Sequence, residues 1–146
     1  MQRDTVEKVI HAMGDGLRER PLIDLEAVSA EFSRAVERTA GISMLLLTTA
    51  DGRAVAEWSS LKADPRRLAA MTNSFLTLGE TVAKELGLAS ADYATIATRQ
   101  GNMVLIRIEH SRPMTLAALG TADINAAVLL YAARDCATRI KALLQP

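Results

Sequence analysis

The sequence predicts an α/β domain in which a five-stranded antiparallel sheet is covered by helices on both faces, and three observations support this prediction. Apolar residues recur at helical spacing in some segments, whereas the segments between them are short apolar runs typical of strands. Asp51-Gly52 joins two of these runs and indicates a hairpin, hence antiparallel pairing. The run Met44–Leu47 is apolar at every position, which is typical of a strand buried on both faces. Helices must then lie on both sides, giving a three-layer α/β/α sandwich.

The first 21 residues predict an extension that precedes the domain. Asp4 and Glu7 have the spacing of a capping box and begin a short helix over Thr5–Met13. The stretch Gly14–Pro21 contains two glycines and several charges, which predicts a linker. We therefore expect a helical extension with its linker over residues 1–21 and one domain over residues 22–146.

The first half of the domain predicts a helix followed by the hairpin. Asp24 caps a helix whose apolar residues fall on one stripe and which ends by Gly41. The two strands of the hairpin are predicted at Ile42–Thr49 and Arg53–Trp58. Because the first of them is apolar throughout, we expect it in the interior of the sheet.

A long helix, three strands and a final helix complete the domain. Asp64 as the cap and Pro65 at the first helical position begin the long helix, which runs to Leu86. The strands that follow are predicted at Tyr93–Thr98, Met103–Glu109 and Met114–Leu119, with a four-residue turn, Arg99–Asn102, between the first two. The final helix is predicted to begin near Thr121–Asp123.

Composition narrows the classes of partner. The 17 basic and 17 acidic residues cancel, so no net field attracts nucleic acid or an anionic membrane. Aromatic residues make up 3% of the chain, which leaves few platforms on which bases or sugars could stack. The single cysteine, the absence of an apolar leader and the absence of a run long enough to span a bilayer predict a cytoplasmic protein.

No pattern of residues predicts catalysis, a metal or a cofactor. The sequence has no phosphate-binding loop, no dinucleotide-binding glycine motif and no nucleophile elbow around a serine. His11 and His110 have no carboxylate or thiol at ligand spacing beside them. Cys136 falls on the buried stripe of the final helix, as a small core residue does. We therefore expect a protein that is not an enzyme.

The long helix Pro65–Leu86 has more apolar surface than one sheet can cover. The stripe expected to face the sheet consists of Leu68, Thr72, Phe75, Gly79, Val82 and Leu86. Outside it lie further apolar side chains, namely Ala69, Ala70, Met71, Leu76, Leu78 and Ala83. The second face is covered either within the chain, by a neighbouring helix or the N-terminal extension, or by a second copy. We favour the second copy, because two-fold pairing buries the same patch twice.

Three segments resemble the Roadblock / dynein-light-chain domain family, in the prokaryotic form that partners a gliding-motility GTPase. They are residues 41–52, which include Met44–Leu47 and Asp51-Gly52, residues 69–80 of the long helix with the three strands that follow it, and residues 122–128. The resemblance implies a profilin-like sandwich in which the helices 24–40 and 123–144 cover one face of the sheet and the helix 65–86 covers the other.

The resemblance also implies a dimer, of this chain with itself or with a paralogue, joined through Tyr93–Thr98 and the long helices. The residues expected at that interface are Met71, Phe75, Leu78, Tyr93 and Thr95. The implied function is a non-catalytic protein that binds a Ras-like small GTPase, either as a regulator that stimulates its GTP hydrolysis or as a scaffold. Exposed positions expected to contact the GTPase are Arg66, Arg67, Asn73 and Glu80. The alternatives are a light-chain-like structural adaptor without a nucleotide switch and, with less support, a small-molecule sensor.

Overall fold

Three helices and five strands make up residues 23–144, the part of the chain that the computed structural model describes. In chain order they are α1 (Leu25–Arg38), β1 (Ile42–Thr49), β2 (Ala54–Ser59), α2 (Pro65–Glu85), β3 (Tyr93–Thr98), β4 (Gly101–Ile108), β5 (Met114–Thr121) and α3 (Ala126–Leu143). The predicted helix Thr5–Met13 and the linker Gly14–Pro21 lie outside the described residues.

Side-chain caps fix where the three helices begin. The Asp24 carboxylate accepts hydrogen bonds from the backbone N–H groups of Glu26 and Ala27, and the Asp64 carboxylate accepts one from Arg66. Asn125 does the same for α3. These caps satisfy N–H groups that have no partner inside the helix. The final helix was predicted to begin near Thr121–Asp123, but it begins later, because Thr121 continues β5 and Asn125 supplies the cap.

The five strands form one antiparallel sheet in the order β2-β1-β5-β4-β3. β1 therefore lies in the interior, and all its residues from Ile42 to Thr48 are buried, as its continuous apolar run predicts. β2 and β3 are the edges. The helices α1 and α3 pack against one face and α2 packs against the other, so the predicted three-layer α/β/α sandwich is confirmed.

One turn is tighter than predicted. β4 begins at Gly101 rather than Met103, which leaves two residues between β3 and β4 instead of four. Gly101 has φ +150°, and a Cβ added there would lie 2.3 Å from the carbonyl oxygen of Gly120 on β5. Only glycine allows this close approach of the two strands, so the ladder continues to the end of the hairpin.

The two faces of the sheet are packed differently. The larger core lies beneath α1 and α3 and is built from long apolar side chains, including Phe32, Leu45, Leu116 and Ile140. The core beneath α2 has six fully apolar members, half of them alanines: Leu46, Ala54, Ala69, Leu76, Leu105 and Ala117. Much of α2 is consequently held by something other than apolar packing, and most of its surface stays exposed.

Candidate interaction surface

The face of α2 that meets the sheet is not the one that the sequence predicts. Ala69, Thr72, Asn73 and Leu76 are its buried residues, whereas Phe75, with Val82 and Leu86, is exposed. Of the predicted stripe only Thr72 is buried, and Leu68 packs partly against the smaller core. The prediction is wrong because hydrophobicity alone does not decide between two apolar faces of one helix. Alanine and threonine let the helix lie close to the sheet, so the small side chains face inward.

A polar network lies beneath α2 and takes the place of apolar packing. The Asn73 amide nitrogen donates to the hydroxyl of Thr48 on β1 and, at 2.9 Å, to the carbonyl of Ala69. The Asn73 amide oxygen accepts a hydrogen bond of 2.7 Å from the hydroxyl of Thr115 on β5. Thr48 and Thr115 are completely buried. Buried polar groups that all have hydrogen-bond partners fix the position of a helix, because any shift that leaves one of them without a partner destabilises the fold.

Arg107 on β4 connects this network to an ion pair. Its guanidinium donates to Asn73 at 3.1 Å, to Thr115, and to both carboxylate oxygens of Glu80, the closer at 2.8 Å. The Arg107 side chain is 8% exposed and that of Glu80 is 31% exposed. A two-pronged pair of this kind has a defined geometry and ties the middle of α2 to the sheet.

These contacts involve two of the predicted partner-binding residues. Asn73 is 4% exposed and has no free surface to offer a GTPase, so its placement on an exposed face is wrong. Glu80 is half-buried and bound to Arg107. Both belong to the attachment of α2. Arg107 was not predicted to take part, although β4 alternates Met103, Leu105, Arg107 on one face, and a charged residue at an inward position signals a buried partner.

The exposed face of α2 presents a continuous row of large apolar side chains, which we call the α2 stripe: Met71, Phe75, Leu78, Val82 and Leu86. Their exposed fractions run from 43% for Phe75 to 68% for Leu86. They follow one another at intervals of four, three, four and four residues, so they line one side of the helix. Contiguous exposed apolar patches are typical of surfaces that bind another protein, so this row is a candidate interaction surface.

The edge strand β3 adjoins this surface, and no described strand pairs with its outer side. Tyr93 pairs with Ile106, which packs in the core under α1 and α3, so Tyr93 and Thr95 project from the sheet face opposite α2. The guanidinium carbon of Arg134 on α3 lies 5.2 Å from the centre of the Tyr93 ring. The predicted interface residues therefore divide between two surfaces, with Met71, Phe75 and Leu78 on α2, and Tyr93 and Thr95 on the opposite face of the sheet.

Basic residues mark the beginning of α2. Arg66 and Arg67 are exposed, and neither forms an ion pair within residues 23–144. Because the N-terminus of a helix is already electropositive, two arginines there are unfavourable unless an acidic group lies opposite. Their exposure agrees with their predicted placement on an exposed face, and their role as contacts stays a prediction.

The described residues contain no group of three or more potential ligands that could hold a metal ion. The buried Cys136 thiol has its pKa raised to about 12, chiefly by burial and further by the carboxylates of Glu31 and Asp135. Beside it a groove of about 340 Å³ runs between α1 and α3, lined by charged side chains that include Arg34 and Arg139. Within residues 23–144 no helix has both the length and the apolar character to cross a bilayer.

Fold and surface together define an α/β sandwich domain whose distinctive feature is an exposed apolar helix beside a sheet edge with which no described strand pairs. The sequence profile of the Roadblock/LC7 domain matches residues 29–117, and the chain belongs to this family. The family resemblance and the α/β fold predicted from the sequence are thus confirmed.

Solved structures agree with this assignment. MglB from Myxococcus xanthus superposes with a TM-score of 0.75 at 12% identity, over 89% of this chain and 98% of that one. The gliding protein MglB from Thermus thermophilus has a TM-score of 0.72 at 13% identity, over 86% of this chain and 97% of its own. LokiProfilin1, solved with rabbit actin, has a TM-score of 0.60 at 13% identity, over 82% and 97%. The last makes the fold profilin-like. No curated protein matches the sequence.

Proposed function

We propose that this chain is a non-catalytic, dimeric regulator or scaffold that binds a Ras-like small GTPase in the cytoplasm. The observation that carries the proposal is the α2 stripe together with the outer edge of β3, which pairs with no strand in residues 23–144, in a domain of the Roadblock/LC7 family. A second copy of the chain, or a paralogue, covers the stripe. The dimer then offers the GTPase a surface that a single copy lacks.

The size of the α2 stripe supports dimerisation. Complete burial of a large apolar side chain contributes about 1.5–3 kcal/mol, so burying the exposed half of five such residues in two copies contributes on the order of 10 kcal/mol. Association itself costs a similar amount, roughly 4–15 kcal/mol. Loss of two stripe residues in each copy is therefore enough to abolish the dimer.

The dimer is tested by Met71→Glu with Leu78→Glu, which places carboxylates in the middle of the stripe. Both side chains are exposed, so the fold is retained, and light scattering should report a monomer where the parent chain is a dimer. Thr81→Glu is the control, because Thr81 is exposed on α2 outside the stripe. A parent chain that is already monomeric, or a double variant with the parent's mass, contradicts the dimer through α2.

The regulator is tested by titrating the dimer against candidate small GTPases loaded with GDP or with a non-hydrolysable GTP analogue. A regulator that stabilises the active switch arrangement binds the GTP form at least tenfold more tightly and accelerates hydrolysis. Equal affinity for both forms refutes the regulator and leaves the structural adaptor.

Arg66 is the residue we expect to contact the GTPase, because it is exposed and lies away from the α2 stripe. Arg66→Glu should weaken GTPase binding without changing the mass of the dimer. Asn73 is not carried into this proposal, since it is buried under α2.

A further inference from the structure

Two exposed charges of opposite sign flank the four stripe residues that lie within α2, Met71, Phe75, Leu78 and Val82. Arg67 and Glu85 are 18 residues apart, which is five helical turns at 3.6 residues per turn, so they project from the same side of α2. Both are exposed. Neither side chain takes part in a hydrogen bond or an ion pair with another residue in 23–144.

Apart from Leu86, which is the C-cap residue, the stripe has the same spacing in both directions along the helix. Met71, Phe75, Leu78 and Val82 follow at intervals of four, three and four residues, so their midpoint falls between Leu76 and Thr77. A two-fold axis through that midpoint turns a second α2 antiparallel to the first. It places Met71 of one copy against Val82 of the other, and Phe75 against Leu78.

The same axis brings the two charges together. Arg67 and Glu85 lie at nearly equal distances on either side of the midpoint, differing by one residue or about 1.5 Å along the helix. A two-fold axis perpendicular to the helices keeps them on the same flank of the interface. Arg67 of each copy therefore lies beside Glu85 of the other, twice per dimer.

We propose that Arg67 and Glu85 are the specificity-determining residues of the self-association surface, and that they select antiparallel pairing of α2 with a second copy of this chain. The proposal rests on the dimer proposed above. Parallel two-fold pairing of the same stripes puts the charges of the two copies on opposite flanks of the interface, so neither attractive contact between Arg67 and Glu85 forms. A partner helix that lacks this pair of charges at this spacing loses both contacts, so the charges also favour a second copy over an unrelated helix.

The other charges of α2 do not compete for this role. Glu80 is bound to Arg107 beneath the helix. Arg66 and Lys84 are also 18 residues apart, but each is turned by about 100° from its neighbour Arg67 or Glu85 and lies away from the stripe. Both are positive, and antiparallel pairing would bring them together only if they faced the interface. They provide a matched control pair on the same helix.

The test is the dimer dissociation constant, measured by sedimentation equilibrium at low ionic strength for the full chain. Arg67→Glu alone and Glu85→Arg alone each convert two attractive pairs into two repulsive ones, and each should weaken the dimer about tenfold. Arg67→Glu combined with Glu85→Arg restores opposite charges and should return the constant to within about threefold of the parent. High salt should shrink the differences between the variants. Arg66→Glu and Lys84→Glu should have no effect.

The outcomes separate this inference from the dimer itself. If the single reversals leave the constant unchanged, or if the combined variant is no tighter than either single one, the charge pairing is refuted while the dimer stands. If Met71→Glu with Leu78→Glu leaves the mass unchanged, the dimer through α2 is refuted and the pairing falls with it.

Discussion

Replacing Asn73 with alanine tests whether the polar network beneath α2 holds this helix in place. The substitution removes the acceptor of the Thr115 hydroxyl and the donor to the Thr48 hydroxyl, and both threonines are completely buried. A buried polar group that loses its partner costs about 1–3 kcal/mol. With two hydroxyls affected, we expect a loss of about 3 kcal/mol, a large part of the roughly 5–15 kcal/mol by which a domain of this size is stable.

The assay is urea unfolding followed by circular dichroism at a fixed protein concentration, because dimerisation shifts the midpoint with concentration. With a slope of about 2 kcal/mol per molar urea, a loss of about 3 kcal/mol lowers the midpoint by about 1.5 M. Ser74→Ala is the control, since Ser74 is the next residue of α2 and is exposed, and it should change stability by less than about 0.5 kcal/mol.

A second substitution separates the lost hydrogen bonds from the cavity. Thr48→Val keeps the shape of the side chain and removes the hydroxyl that Asn73→Ala leaves without a partner. Adding Thr48→Val to the Asn73→Ala variant should raise the free energy of unfolding by about 1 kcal/mol. The same Thr48→Val substitution in the parent chain should lower the free energy of unfolding. A loss below about 1 kcal/mol for Asn73→Ala, or additive effects of the two changes, would refute the network as the attachment of α2.

Two further predictions concern buried ionisable groups. Burial, with the charge of Asp64, raises the pKa of Glu57, whose Oε2 has no hydrogen-bond partner within the described residues. The folded protein therefore binds a proton on the Glu57 carboxyl more tightly than the unfolded chain does. The stability contributed by protonated Glu57 is present below pH 4.5, the ordinary pKa, and is lost as the pH rises through the higher pKa of the folded state. Glu57→Gln should stabilise the protein by about 1 kcal/mol at about pH 8 and have little effect near pH 4, measured by urea unfolding at both pH values; equal effects at the two pH values contradict the shift. Cys136, with its pKa raised to about 12 from 9.0, has on the order of a thousandfold less thiolate than a free thiol. It should not react with a thiol reagent at about pH 8 until urea unfolds the chain, and prompt labelling of the folded protein would show that it is accessible.

Local signals made most of the fold predictable. The caps Asp24 and Asp64, the Asp51-Gly52 turn and the apolar run of β1 each act within a few residues, so they define elements without knowledge of the rest of the chain. The predicted bounds of helices and strands are wrong where contacts with strands distant in sequence determine the end of an element. β4 begins at Gly101 because this residue lies against Gly120 of β5, and this contact cannot be predicted from the residues next to Gly101 in the sequence.

The candidate interaction surface was predictable only in part. The excess of apolar surface on α2 follows from its composition, and Met71, Phe75 and Leu78 are exposed as a dimer interface requires. Which of the two apolar faces of α2 packs against the sheet was not predictable, because Phe75 is hydrophobic enough to lie on either face. Asn73 is polar and so was expected outside, but Thr48, Thr115 and Arg107 come from three different strands to surround it.

The sequence by itself determined the class of the domain, the order of its helices and strands, and the presence of a helix with two apolar faces, because periodicity and caps are properties of neighbouring residues. Only the tertiary structure decided which face of α2 is buried. Burying apolar side chains stabilises the fold whichever face of α2 packs against the sheet. Buried amide, hydroxyl and guanidinium groups, in contrast, are tolerated only in the arrangement in which all of them have hydrogen-bond partners. That arrangement turns Asn73 inward and leaves the α2 stripe exposed, free to meet a second copy of the chain.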